Sequence, residues 1–194
     1  MKTQYYTASS LDGFIATEDD SLDWLFPLGS PDDAGYPAFI ADVGALAMGA
    51  NSYEWLLRHA DKVLQETGSA WPYAQPAWVF AHRPLQRVPG GDIRFVQGPV
   101  GAFHPQMVQA AGGKNVWIVG GGDLAAQFHD AGLLDEVIVQ VASVTLGRGK
   151  PLFPRRMTNP PWKLVAVRQV GAGMAELRYE VPSGGDGQAR EPGQ

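Results

Sequence analysis

Gly120-Gly121-Gly122 interrupts the chain between an apolar run, Val116 to Val119, and a helix-forming segment that starts at Asp123 and Leu124. A strand, then glycines, then a helix lets a backbone approach a phosphate closely. No side chain holds the anion off, and the free N–H groups of the first helical turn point at it. The segment is therefore a candidate site for a nucleotide or dinucleotide cofactor. Read without a ligand, it is a strand-to-helix turn that needs glycine for its own geometry. It does not fit the Rossmann fingerprint, which asks for GxGxxG early in a βαβ unit and an acid about 20 residues on. Ala125 stands at the third glycine, the motif lies past mid-chain, and the downstream stretch reads Gln140-Val141-Ala142.

Two more apolar runs end in suggestive residues, Gly49-Ala50-Asn51-Ser52 and Ala81-His82-Arg83. In an open α/β sheet, ligands bind outside the carboxyl ends of the strands. Three such ends side by side make a continuous groove. Trp24 and Phe26, with Tyr36 and Phe39, are candidates to wall a flat substrate, or else pack in a core or lid. His59, His82, His104 and His129 show no metal-ligand spacing, so no metal site is expected.

The elements that must position these residues follow from periodicity and punctuation. Thr3–Ala8 and Phe14–Ala16 read as a strand interrupted or bent near Asp12-Gly13, and further strands are expected over Ala45–Met48, Ala77–Ala81, Asp92–Val96, Val116–Val119 and Glu136–Val141. Helices are expected over Tyr36–Val43, Tyr53–His59 with Ser52 as cap, Phe103–Ala111, and from Asp123 to about Ala131. Residues Thr17–Gly35 read as a long loop with an apolar centre, often a functional lid. Residues Ala60–Gln75 are ambiguous, and Thr145–Pro154 is a Gly/Pro-rich loop. Trp162–Val170 and Met174–Val181 form a hairpin around Gly171-Ala172-Gly173. Residues 1–182 form one domain, and Ser183–Gln194, rich in Gly, Gln and Pro, is expected to be disordered. Strands alternating with helices before a closing hairpin mean an α/β domain, mainly parallel, with helices on both sheet faces.

The chain has 194 residues, 45% of them hydrophobic, enough for one substantial core. A net charge of -5 gives no general affinity for nucleic acid or anionic membrane. With no cysteine there is no disulfide, thiol catalysis or Cys-ligated zinc. No signal peptide is visible, and no apolar run approaches the length of a membrane span. A cytoplasmic protein is expected.

Four segments together resemble the dihydrofolate reductase-like superfamily, and within it the reductase domain of the riboflavin-biosynthesis deaminase-reductase and its stand-alone relatives. They are Ser9-Ser10-Leu11-Asp12-Gly13-Phe14-Ile15-Ala16, Ala47-Met48-Gly49-Ala50-Asn51-Ser52-Tyr53-Glu54, Val119-Gly120-Gly121-Gly122-Asp123-Leu124, and Leu146-Gly147-Arg148-Gly149-Lys150-Pro151-Leu152-Phe153. The resemblance runs from about Lys2 to Val181. It implies a three-layer α/β/α fold, bound NADPH and a homodimer. The triple glycine, with Val119, Asp123 and Leu124, would carry the nicotinamide ribose and pyrophosphate, with a cis bond between two of the glycines. Gly49, Asn51 and Ser52 would bind phosphate through backbone N–H groups and the Ser52 hydroxyl. Ala81, His82 and Arg83 would lie along the adenosine ribose, with Arg83 on a 2′-phosphate and Arg87 in reserve. Relatives commonly carry arginine where this chain has Ala50, which removes an expected phosphate clamp.

The resemblance also makes Asp12 the acid beside the substrate, serving in proton transfer. A partly buried carboxyl there would have a raised pKa. Read locally, Asp12-Gly13 is a turn pair. Arg148 or Lys150 would contact a substrate phosphate, or else sit in an exposed basic loop. True dihydrofolate reductases place an acid on the first helix. Here Tyr36-Pro37-Ala38-Phe39-Ile40-Ala41 carries none, and only Asp32 and Asp33 precede it. The expectation is an NADPH-dependent reductase of a small heterocyclic or sugar-derived substrate. The competing class is a non-catalytic nucleotide-binding sensor on the same fold. With no cysteine there is no deaminase zinc motif.

Overall fold

The computed structural model describes residues 1–29 and 35–182. The expected tail, Ser183–Gln194, and Asp32 and Asp33 lie outside the described residues. The strands are β1 (Thr3–Ser9), β2 (Phe14–Ala16), β3 (Val43–Gly49), β4 (Ala77–Phe80), β5 (Ile93–Val96), β6 (Asn115–Gly120), β7 (Glu136–Ala142), β8 (Lys150–Pro151), β9 (Lys163–Val170) and β10 (Met174–Glu180). The helices are α1 (Tyr36–Ala41), α2 (Ala50–Arg58), α3 (Ala60–Thr67), α4 (Val100–Ala111) and α5 (Gly122–Asp130).

Eight strands form one sheet in the order β5-β4-β3-β6-β1-β7-β10-β9. The first six are parallel to one another, and β10 turns back antiparallel to β7 and β9. β2 and β8 form a separate two-stranded antiparallel sheet.

The two-residue period of the strands divides the core between two faces. Tyr5, Ala45, Ala47, Ile118 and Val137 face one way, onto Met107 and Ala111 of α4 and Leu124 and Phe128 of α5. Their neighbours Tyr6, Leu46, Met48, Trp117 and Ile138 face the other way, onto α1 and α2 through Phe39, Tyr53 and Leu56. The result is the expected three-layer α/β/α arrangement with a C-terminal antiparallel hairpin.

Three local expectations change. Residues Ala60–Thr67, ambiguous in sequence, are α3, which begins directly after α2. Ser52 does not cap α2. Gly49 stands at the cap, and Ser52 is the third helical residue. The Gly/Pro-rich loop contains β8, pinned by the backbone N–H of Leu152 donating to the Gly13 carbonyl at 2.9 Å. Among the described residues, no helix is long and apolar enough to cross a membrane.

Candidate active site

The sheet order sets β4, β3 and β6 side by side and parallel, so their carboxyl ends share one edge. The three strand-end motifs are therefore neighbours, as expected. β3 hands over to α2 and β6 to α5, so two helix N-termini flank the glycines. The Gly120–Gly121 peptide is cis.

Each glycine has its own reason. Gly120 has φ +143°, a backbone that side-chain-bearing residues rarely adopt, and a Cβ there would sit 3.3 Å from the Ser52 hydroxyl oxygen. At Gly122, a Cβ would collide with the Leu152 and Pro151 carbonyl oxygens. Gly122 thus lets the β8 segment close over the start of α5.

A cavity of about 600 Å³ opens against these glycines. Asn51, Ser52, Val119, Gly120, Gly121, Gly122 and Asp123 line its polar side. Tyr36, Trp55, Tyr73 and Trp117 wall another side, with Leu22, Leu25 and Phe26 of the long loop contributing to the lining. Lys150 and Asp20 also line it, their charged atoms 3.6 Å apart.

Tyr6, Gln140 and Met174 complete one end. Gln140 Nε2 donates to the Tyr6 hydroxyl oxygen and to Glu176 Oε2, both at 2.9 Å. Arg168 grips Glu176 in bidentate fashion, Nε to Oε1 and Nη2 to Oε2, each at 2.8 Å. Burial pushes the Glu176 carboxyl up, but the Arg168 and Gln140 hydrogen bonds outweigh it and hold the group below the usual carboxylate range. Burial, reinforced by the Glu176 charge, pushes the Tyr6 phenol up to about 12.

Other expected site residues lie outside this lining. Asp12 is exposed, not partly buried. Its carboxylate accepts from the Ser10 hydroxyl at 2.6 Å and from the Leu146 and Gly147 amides at 3.1 and 2.7 Å. These bonds, the Ser10 one foremost, hold its pKa below the ordinary value rather than raising it. In this geometry Asp12 ties its own turn to the Leu146–Gly147 loop, because a charged acceptor satisfied by three donors has no tendency to hold a proton.

Trp24 packs against Ala142, Val170 and Met174 rather than lining the cavity. Phe39 backs the aromatic wall, stacked on Tyr6 at 4.1 Å and edge-on to Trp117 at 5.3 Å. Arg148 is exposed and outside the lining, which its neighbour Lys150 joins. Ala81 is held by its N–H to the Val96 carbonyl, and His82 is exposed. Arg83 is engaged by Glu54 of α2 at 2.5 and 2.7 Å, and that pairing raises its pKa. Gly49 and Leu124 lie behind the lining, Gly49 capping α2 and Leu124 buried in the core.

Sequence reasoning missed Tyr6, Trp55, Tyr73, Trp117 and Gln140. Each sits in an element whose pattern reads as plain strand, helix or ambiguous segment. A glutamine and a tyrosine inside buried strands were the available signal.

The fold is that of the dihydrofolate reductase-like α/β proteins. A dihydrofolate reductase from Enterococcus faecalis, solved with NADP(H), superposes with a TM-score of 0.56 at 15% identity, covering 92% of this chain and 95% of that one. The model of the RibD C-terminal domain matches residues 105–175. The uncharacterized protein YwjB of Bacillus subtilis is 34% identical, over 92% of this chain and 97% of its own. A Shewanella sp. PV-4 protein whose name associates it with riboflavin biosynthesis matches with a TM-score of 0.74 and 26% identity, covering 93% of this chain and 98% of its own. The chain belongs to the RibD C-terminal domain family.

Proposed function

We propose that this protein is an NADPH-dependent reductase of a small, flat heterocyclic or sugar-derived substrate, related in chemistry to the 5-amino-6-(5-phosphoribosylamino)uracil reductases of riboflavin biosynthesis. One observation carries the reading. A single cavity has glycines and two helix N-termini on one side and aromatic rings on another. Close backbone and free N–H groups suit phosphates, and aromatic faces suit a planar ring.

The residues present fit a dinucleotide. Gly120 offers an approach without a side chain, the Ser52 hydroxyl stands beside it, and the first turns of α2 and α5 supply amides. When bound, the cofactor supplies a hydride. The chain's own task is to hold the substrate against it, exclude water and deliver a proton. Asp12 does not reach the cavity. Tyr6, Asp20, Asp123 and Lys150 are the titratable groups in the lining that meet this need best by position. For a 2′-phosphate, Arg83 is the cation beside the β4 strand end, and the phosphate would take the place of Glu54 as its partner.

A second reading, nucleotide binding without turnover, draws on Ala50 in place of arginine and on the placement of Asp12. Fluorescence titration with NADPH and NADH tests the first step, since Trp55 and Trp117 line the cavity. NADPH is expected to quench at micromolar concentration and NADH about tenfold more weakly. Arg83→Ala should erase that difference. No quenching by either up to millimolar concentration would overturn the reductase reading. Tight binding with no NADPH oxidation across carbonyl and imine substrates would favour the second.

A further inference from the structure

Gln140, Glu176 and Arg168 stand directly opposite one another on β7, β10 and β9, and Tyr6 on β1 is the diagonal neighbour of Gln140. The row runs from the edge of the sheet to the cavity, which Tyr6 and Gln140 line. Polar side chains in such a row are costly to bury unless each has a partner. Here they form a directed chain. Glu176 is 4% exposed and, ionised, can only accept. It therefore fixes which end of the Gln140 amide is the donor. Gln140 Nε2 must face Glu176, and the same nitrogen reaches the Tyr6 oxygen at 2.9 Å. One lone pair of the phenol is thereby occupied by an incoming N–H.

The Tyr6 proton must be donated elsewhere. Tyr6 is 9% exposed, and the only hydrogen-bond partner of its hydroxyl among the described residues is this Gln140 donor. The ring is clamped by Phe39 at 4.1 Å and Trp117 at 6.2 Å, so it cannot swing away. The group stays protonated across the neutral range, which burial ensures.

We propose that Tyr6 is a fixed hydrogen-bond donor that selects planar ligands bearing a carbonyl or imine acceptor, with Gln140, Glu176 and Arg168 positioning its proton. This rests on the reductase reading for the identity of the substrate, but not for the recognition itself. The class fits the reaction, because a carbonyl or imine is what a hydride reduces, and a donor on its heteroatom polarises it.

The test uses two bicyclic probes of the same outline, 1-tetralone and tetralin, which differ by one carbonyl. Isothermal titration calorimetry on the full chain should show tetralone bound about three- to tenfold more tightly, the share of one neutral hydrogen bond. Tyr6→Phe, which removes one oxygen, should abolish the preference and leave tetralin affinity unchanged. Glu176→Gln removes the acceptor-only partner that holds the Gln140 nitrogen toward Tyr6, and should weaken the preference with the phenol still present. A merely structural Glu176 would weaken both probes together. Equal affinity of the two probes, no binding of either, or a preference that survives Tyr6→Phe would overturn the proposal. NADPH quenching is measured in parallel on the same variants. Quenching without a tetralone preference sinks the Tyr6 proposal alone, and a preference without quenching sinks the reductase reading alone.

Discussion

At the scale of single residues, the glycines separate two kinds of necessity. Gly120 is required by its own backbone angle, and Gly122 by the carbonyl oxygens of Pro151 and Leu152 packed against it. Backbone atoms cannot move aside as a flexible side chain can. Gly122→Ala should therefore lose roughly 1–3 kcal/mol of stability, the usual cost of overpacking. Urea unfolding would check this, and a midpoint equal to wild type would mean that the β8 segment does not rest on α5. Asp12 shows the reverse situation. Its type and its place in the Ser-Leu-Asp-Gly segment suggest an acid, yet its neighbours make it a satisfied anion on the surface.

At the scale of elements, α4 docks on the sheet partly through a polar contact. His104 Nε2 lies 2.8 Å from the Thr3 hydroxyl at the start of β1. Burial lowers the His104 pKa, and the charge of Asp135 offsets this only in part. The unfolded chain then binds a proton here more readily than the folded one. Stability from this group is complete above the unfolded value of about 6.5 and is lost as pH falls through the lower folded value. His104→Gln should flatten the fall in thermal midpoint between about pH 7 and pH 5, measured against wild type in the same buffers. An unchanged slope would show that His104 binds its proton equally well in the folded and the unfolded chain. The polar row Gln140-Glu176-Arg168 is the second device at this scale. Strand register alone aligns its members, so a slip of one residue in β10 would turn Glu176 to the other face of the sheet.

At the scale of the whole molecule, β9 forms one edge of the eight-stranded sheet. It exposes Leu164, Val165 and Val167 at 50%, 38% and 60%. Natural edge strands are usually blunted by charge or covered. This supports the homodimer proposed from the family resemblance. Sedimentation equilibrium should give about twice the 20.9 kDa chain mass. Val167→Lys would shift the mass toward one chain if this edge is the interface. A wild-type monomer at micromolar concentration would dispose of the dimer.

Much of the fold was legible from local pattern. The strand-glycine-helix passages at Gly49 and Gly120, the hairpin at Gly171-Ala172-Gly173 and the parallel core strands are short-range features, and chain stiffness and hydrophobic period determine them. The α3 helix was not legible, because Ala60–Thr67 is short, with an apolar stripe of only Ala60, Val63 and Leu64, and no stop separates it from α2. The glycine side of the cavity could be read because its residues lie in continuous motifs. The opposite side could not. Tyr6, Trp117 and Gln140 come from three strands separated by more than a hundred residues in the case of Tyr6 and Trp117, and only the sheet order β6-β1-β7 brings them together. The sequence by itself determined most of the strands and helices, α3 and β8 excepted, and that glycines meet a helix start at two strand ends. The tertiary structure alone decided which polar side chains face one another across the sheet. Register and burial, not residue type, set whether a carboxylate is an exposed anchor like Asp12 or a buried director of protons like Glu176.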